Sequence, residues 1–159
     1  MSWQRYCASA EATRLAGEEF AALLRPGDVV LLAGQLGAGK TTFTQGVGRG
    51  LGVRERVTSP TFTMVRQHES VNKLGITTLH HADVYRVESV GEVIDLALGE
   101  LVEDSAVALV EWGDLATSVF GRDVMTVTFL IDDEEGRTLV VDGALSKGRS
   151  DDLDAWAPE

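Results

Sequence analysis

The chain has 159 residues, with 14 Lys and Arg against 25 Asp and Glu, and a formal net charge of −11 at pH 7. This length suits one domain with a full hydrophobic core, and the charge argues against extensive direct binding of nucleic acid. Cys7 is the single cysteine, which excludes an internal disulfide or a thiolate metal cluster. There is no apolar signal core and no run near the ~20 residues that span a bilayer, so we expect a soluble cytoplasmic protein.

The first predicted elements are a helix and a buried strand. Ser9 can cap a helix whose apolar residues recur at helical spacing as far as Leu24, and Pro26-Gly27 ends it. Residues 28–33 are mainly a continuous apolar run bounded by glycines, which favours a central parallel strand over an amphipathic one.

The stretch after this strand fits the pattern G-x-x-x-x-G-K-[ST] at every fixed position. It consists of Gly34, Gln35, Leu36, Gly37, Ala38, Gly39, Lys40 and Thr41, and with Thr42 it is the predicted nucleotide-binding segment. The glycines let backbone N–H groups and the positive end of the next helix face phosphates. We expect Lys40 to reach the β- and γ-phosphates and the Thr41 hydroxyl to bind Mg²⁺. The alternative, an ordinary glycine-rich turn, needs neither a lysine nor a hydroxyl here.

The helix that follows this loop is intrinsically weak, because Gly46, Gly48 and Gly50 each cost about 1 kcal/mol relative to alanine. We expect packing of an apolar face that includes Phe43 to stabilise it. The same glycines would allow a close approach to the sheet or to a neighbouring helix.

The middle of the chain predicts a loop and a hairpin. Thr61 lies in a Ser-Pro-Thr-Phe loop, and such hydroxyl-bearing loops of nucleotide hydrolases often sense Mg²⁺ and the γ-phosphate. A turn that leads into a strand explains Thr61 equally well. Residues 62–67 and 76–81 look like strands of an antiparallel hairpin, with Asp83 just past the second strand. A capping-box pattern then predicts a helix over residues 89–99.

The last third of the chain predicts more strands. Residues 106–110 form a buried strand that places Glu111 at its carboxyl end, where ligands of open α/β sheets bind. A short helix over residues 114–120 follows. Residues 124–131 and 137–142 predict a final hairpin.

These elements predict a single α/β domain over residues 1–143. Its fold is P-loop NTPase-like: a mostly parallel sheet with helices on both faces and antiparallel hairpin strands. Residues 144–159 are polar and acidic, and we expect them to form a poorly ordered tail, although Trp156 could dock on the domain or on a partner.

A P-loop enzyme needs an acidic group on a neighbouring strand to hold Mg²⁺ through water. Glu111 and Asp132 both end strands, but Asp132 opens an acidic stretch typical of a solvated hairpin turn, so Glu111 is the better candidate. Asp83 is a second candidate, and an ion pair with Arg86 explains it equally well.

The sequence favours ATP over GTP, because guanine recognition needs N-K-x-D and the Asn72-Lys73 pair lacks the following aspartate. A P-loop small-molecule kinase is a stronger alternative, although that class wants a lid with several arginines and the chain shows no such cluster. A nucleotide-gated binding module without significant turnover is a third possibility.

Four motifs in fixed order resemble the TsaE (YjeE) family, within a match from Ser9 to Asp142. The motifs are Gly34 to Phe43, Ser59-Pro60-Thr61-Phe62, His81-Ala82-Asp83-Val84-Tyr85-Arg86 and Val110-Glu111-Trp112. The resemblance implies a small ATPase that acts with the proteins TsaD and TsaB. Their shared task would be the threonylcarbamoyl modification of adenosine 37 in tRNAs that read codons starting with A.

The resemblance also implies roles for individual residues. It implies Mg²⁺ or catalytic work for Thr41, Asp83 and Glu111 beside Lys40, and it places Trp112 near the nucleotide. The partners would handle the tRNA, which fits the negative charge of this chain. Ala82 departs from the family pattern, which often has an aromatic residue there, and the tail matches no motif.

Overall fold

The structure, a computed structural model, describes residues 2–35, 37–57, 65–83, 102, 105–112 and 124–157. They form one seven-stranded sheet with helices packed against it. The strands are β1 (Trp3–Cys7), β2 (Val29–Gly34), β3 (Val65–Glu69), β4 (Thr78–Asp83), β5 (Ala106–Trp112), β6 (Met125–Ile131) and β7 (Arg137–Asp142). The α-helices are α1 (Ala10–Phe20), α2 (Lys40–Gly50) and α3 (Ser150–Trp156), and 3₁₀ helices cover Ala21–Leu23 and Ala144–Arg149.

The sheet has a parallel centre and antiparallel edges. The strand order is β1-β7-β6-β2-β5-β4-β3, and the four central strands from β6 to β4 run parallel. The pairs β1–β7, β6–β7 and β3–β4 are antiparallel. The predicted α/β class, with a mostly parallel centre and two hairpins, is confirmed. The carboxyl ends of β2, β4 and β5 therefore meet at one edge of the sheet.

The hydrophobic core lies between one face of the sheet and the helices. Its centre is aromatic, because the ring of Phe43 lies 5.3 Å from that of Phe20 and 5.5 Å from that of Phe129. On the opposite face of β2, Val29 and Leu31 are also fully buried. Both faces of this strand are covered, as a continuous apolar run predicts.

The close packing of α1 on α2 depends on glycines. A Cβ at Gly46 would lie 1.9 Å from the carbonyl oxygen of Arg14, and one at Gly17 would lie 2.2 Å from that of Phe43. A side chain at either position would force the helices apart. This confirms that the glycines of α2 permit a close approach, so packing offsets the weak intrinsic helix propensity. The predicted cap of α1 is also confirmed, since the Ser9 hydroxyl accepts a hydrogen bond from the Ala12 N–H.

The expectation of a poorly ordered tail is wrong for residues 144–157. They form a 3₁₀ helix followed by α3, and Leu153 is fully buried. The Trp156 indole N–H donates to the carbonyl of Ala16 at 2.9 Å, and its ring packs edge-on against Phe20. Apolar contacts spaced through an acidic segment therefore fix it against α1.

Strand β1 was not predicted. It pairs antiparallel with β7 at the edge of the sheet, and only its end residues, Trp3 and Cys7, are buried. Burial raises the pKa of the Cys7 thiol through desolvation, so Cys7 behaves as a small apolar residue. The predicted helices over residues 89–99 and 114–120 lie outside the described residues. None of the helices in the described ranges is long and apolar enough to cross a membrane.

Candidate phosphate-binding site

The glycine-rich loop joins the carboxyl end of β2 to the first turn of α2. Gly37 and Gly39 adopt positive φ angles of 82° and 104°, a backbone conformation that other residues rarely adopt. Gly39 is the N-cap of α2, so the free N–H groups of the first helical turn lie next to the loop. Leu36 lies outside the described residues.

Lys40 is folded over this loop. Its ammonium group donates to the carbonyl oxygens of Gly34 at 2.8 Å and Gln35 at 2.9 Å, and the residue is only 4% exposed. The positive charge is therefore held against the loop rather than in solvent. A bound phosphate would compete with these carbonyl contacts for the same ammonium group.

Thr41 and Glu111 lie in direct contact. The Thr41 hydroxyl donates to Oε2 of Glu111 at 3.0 Å, and Glu111 is 5% exposed. Glu111 lies opposite Leu32 in the β2–β5 register, which places it under the start of α2. The structure thus brings together two of the residues predicted to serve Mg²⁺.

Asp83 lies at the same edge of the sheet. It is the last residue of β4 and is the register partner of Glu111 in β5. Partners in a parallel pair project to the same face, so both carboxylates lie on the side of the sheet that α2 covers. Arg86 lies outside the described residues, and the alternative ion pair with Asp83 stays untested.

The oxygen-rich character of this edge fits a magnesium ion. A hydroxyl and carboxylates are hard ligands, which Mg²⁺ prefers, and Mg²⁺ usually keeps waters and binds phosphate oxygens as well. Among the described residues, no group of three or more His, Cys, Asp or Glu side chains could hold a metal ion by itself. Thr41 and Glu111, with Asp83 beside them, are the side chains that would hold the ion, and water and phosphate oxygens would complete its shell.

A cavity of about 190 Å³ adjoins the loop. Its walls come from the loop and the first turn of α2, the start of α1, and the β6–β7 turn. The lining residues are Ala10, Thr13, Gly37, Gly39, Thr42, Glu134, Glu135 and Arg137. Thr42, a predicted binding residue, therefore lines a space that part of a ligand could occupy.

Sequence reasoning missed Arg137. Its guanidinium donates to the loop carbonyl of Ala38 at 3.2 Å and to the turn carbonyls of Gly136 at 2.8 Å and Asp133 at 3.0 Å. Arg137 therefore ties the β6–β7 turn to the glycine-rich loop. No sequence pattern signals this contact, because Arg137 and Ala38 are 99 residues apart.

His81 was also missed as a site residue. Its Nε2 lies 2.5 Å from Oε2 of Glu111, and the residue is fully buried. A signal did exist in the sequence, since His81 precedes Asp83 by two positions on a strand and therefore projects to the same face.

Two further predicted residues stay untested. Thr61 lies outside the described residues. Trp112 ends β5 opposite Ala33, but its side chain is not described. The structure thus brings the glycine-rich loop, Lys40, Thr41, Glu111 and Asp83 to one edge of the sheet.

This arrangement of sheet, loop and acidic strand ends defines a P-loop NTPase-like α/β domain. A family model described as "Threonylcarbamoyl adenosine biosynthesis protein TsaE" matches residues 7–139. The chain belongs to the TsaE family, which confirms the resemblance inferred from its motifs.

Several curated relatives carry the name tRNA threonylcarbamoyladenosine biosynthesis protein TsaE. The Treponema pallidum protein is 36% identical over 133 residues, which cover 84% of this chain and 95% of that protein. The Bacillus subtilis protein is 46% identical over 66% of this chain, and the Streptomyces coelicolor protein is 50% identical over 62%. These two matches span 63% and 65% of the relatives' own lengths.

A solved structure shares the fold. The crystal structure of Bacillus subtilis YdiB superposes with a TM-score of 0.72 at 27% sequence identity, and the match covers 98% of this chain and 94% of that one. The near-complete coverage extends the likeness beyond the segment that the family model matches. The family and its process, tRNA threonylcarbamoyladenosine biosynthesis, follow from these comparisons.

Proposed function

We propose that this protein binds ATP with Mg²⁺ and hydrolyses it as an accessory step in tRNA threonylcarbamoyladenosine biosynthesis. The observation that carries the proposal is the contact between Thr41 and Glu111 directly beside the glycine-rich loop. A turn with only a structural role needs neither a buried carboxylate under the helix start nor a lysine folded over the loop.

Each part of the site has a distinct task. The loop N–H groups and Lys40 bind the phosphates. Thr41 and Glu111 hold the Mg²⁺ ion that accompanies the nucleotide. A Mg²⁺ ion held there would supply positive charge to offset the negative charge that develops during phosphoryl transfer. Asp83 lies on the strand next to Glu111 and orients the attacking water or supports the metal's water shell.

The nucleotide is proposed to be ATP, because the chain lacks the aspartate of the guanine-reading motif. TsaD and TsaB are the proposed partners, and they contact the tRNA, because a chain with a net charge of −11 would repel it. The site of action is proposed to be the cytoplasm. We expect slow hydrolysis by the isolated chain and faster hydrolysis once the partners complete or order the site.

The test is a calorimetric titration with ATP, GTP and both diphosphates, with and without Mg²⁺, followed by turnover assays with TsaD and TsaB. Binding of ATP in preference to GTP, and turnover that the partners stimulate, are the expected results. Failure to bind any nucleotide contradicts the proposal. Binding without turnover in the presence of the partners supports a nucleotide-gated binding module, and phosphate transfer to a metabolite supports a kinase.

A further inference from the structure

His81 occupies a position where a polar ring is unfavourable without a partner. It is fully buried in β4, and its Nδ1 has no hydrogen-bond partner in the part of the chain that the structure describes. Burying a polar group without a hydrogen bond is unfavourable, and a leucine here would leave no buried nitrogen unpaired. The ring's one polar contact, from Nε2 to Glu111, must therefore account for the histidine.

The direction of this hydrogen bond follows from the groups involved. Ionised Glu111 can only accept hydrogen bonds, so Nε2 of His81 carries the proton and donates to Oε2. The Thr41 hydroxyl donates to the same oxygen. Among the described residues, no donor reaches Oε1 of Glu111. Two donors thus fix one carboxylate oxygen and leave the other available.

We propose that His81 is a positioning residue for Glu111. It holds the carboxylate in one orientation, so that Oε1 stays available for a water of the Mg²⁺ shell. The Thr41 hydroxyl is shared with the metal in the nucleotide-bound state, whereas the His81 contact comes from a neighbouring strand and does not depend on the nucleotide. This inference rests on the proposed function of the site, since it assigns a role within the same magnesium-dependent reaction.

The test compares His81→Leu with His81→Gln. Leucine removes the donor, whereas the glutamine side chain offers an N–H at a similar reach. Partners that orient a metal ligand typically contribute 10- to 100-fold to metal affinity or activity, so His81→Leu should lower turnover with TsaD and TsaB by about 10-fold or more. His81→Gln should retain most of it.

A second measurement does not depend on turnover. It is the Mg²⁺ concentration at which the effect of Mg²⁺ on ATP affinity reaches half of its maximum. We expect this concentration to be about 10-fold higher for His81→Leu than for the wild type. ATP affinity without Mg²⁺ should stay unchanged, because the loop and Lys40 are intact. An unchanged Mg²⁺ response in folded His81→Leu overturns the inference.

His68 provides a matched control. It is also a buried histidine, and its Nδ1 lies 2.6 Å from Oε1 of Glu55, but it lies on the edge strand β3, which β4 and β5 separate from β2. His68→Leu should lower stability without changing the Mg²⁺ response. If both leucine variants shift the response equally, His81 is only structural.

A double mutant shows whether His81 acts through Glu111. In a Glu111→Gln background, His81→Leu should reduce turnover little further, because the carboxylate that it positions is gone. Fully additive losses contradict the inference. If His81→Leu does not fold, the test uses His81→Gln alone. Because glutamine keeps an N–H donor, a folded His81→Gln variant that loses the Mg²⁺ response overturns the assigned role.

The proposed function and this inference fail in distinguishable ways. Wild-type protein that binds no ATP refutes the function. If the wild type binds and hydrolyses ATP and a folded His81→Leu variant has the same turnover and Mg²⁺ response, only the role of His81 is refuted.

Discussion

Strand β2 has a buried carboxylate near each of its ends, and the two differ in how completely they are satisfied. Before β2, both oxygens of Asp28 accept hydrogen bonds: Oδ1 from Arg149 at 2.7 Å, and Oδ2 from the Arg25 N–H at 2.7 Å and again from Arg149. Near the other end, Glu111 has two donors on one oxygen and none from the described residues on the other. Donors from the fold itself occupy both oxygens of the saturated carboxylate, whereas an incompletely saturated carboxylate has capacity for a ligand.

The largest expected effect concerns the ion pair between Asp28 and Arg149. Arg149→Met leaves Asp28 buried without its ion partner, and removing one member of such a pair typically costs about 3–5 kcal/mol. Denaturant unfolding monitored by circular dichroism measures the loss. ATP affinity of the folded fraction should not change, because Asp28 lies at the end of β2 away from the loop.

A control variant separates the ion pair from general packing. Asp28→Asn combined with Arg149→Met removes both charges and should restore part of the lost stability. If the double variant is no more stable than Arg149→Met alone, the charge of Asp28 does not cause the loss.

Lys40→Ala tests the other end of β2. We expect ATP affinity to fall by about 100-fold or more, because several charge-assisted hydrogen bonds to phosphate are lost. The melting temperature should fall only slightly, since the ammonium's bonds to Gly34 and Gln35 are made to loop carbonyls that can turn to water. Wild-type ATP affinity in a folded variant would remove the assignment of the loop.

Glu111→Gln tests the unsaturated carboxylate itself. A group that orients water or metal acts mainly in the transition state, so turnover with TsaD and TsaB should fall by about 100-fold while ATP affinity changes far less.

Asp83→Asn should behave in the same way if Asp83 serves the site. If Asp83 only pairs with Arg86, turnover should be unchanged and stability should fall by less than about 1 kcal/mol. Unchanged turnover in both variants would leave the binding-module function.

The two ends of β2 also differ in how far sequence predicts them. The glycine-rich loop is a local motif, and Glu111 follows an apolar run, so strand patterns place both at the carboxyl edge. The partner of Asp28 could not be found in this way, because Arg149 lies 121 residues away in a segment whose acidic composition predicts disorder. Its folding depends on contacts such as that of Trp156 with Ala16, which join residues 140 positions apart.

The same limit applies within the site. Strand β1 was missed because its pairing with β7 joins segments more than 125 positions apart, Trp3 with Val141 and Cys7 with Arg137. The role of Arg137 depends on contacts with a loop about 100 positions earlier, which no sequence pattern signals. Strand spacing places His81 on the face of Asp83, but its contact with Glu111, 30 positions later, is set by the pairing of β4 with β5. Local periodicity predicts the central strands and the residues that end them, whereas edge pairing and the partner that orients a charged group are decided by tertiary structure.

The smallest expected effect is that of Thr41→Ala. The Thr41 hydroxyl is one of two donors to Glu111, and in the nucleotide-bound state it is also the proposed metal ligand. Its removal should weaken ATP binding by about 10-fold with Mg²⁺ present and far less with Mg²⁺ chelated, because only the metal-bound state uses the hydroxyl. Thr41→Ser keeps the hydroxyl and is the matched control, with a Mg²⁺ response close to that of the wild type. Calorimetric titration of the three proteins with ATP, with Mg²⁺ and with a chelator, measures the difference. Equal losses under both conditions would mean that Thr41 only supports the start of α2, and the capacity of Glu111 for a ligand would then need another explanation.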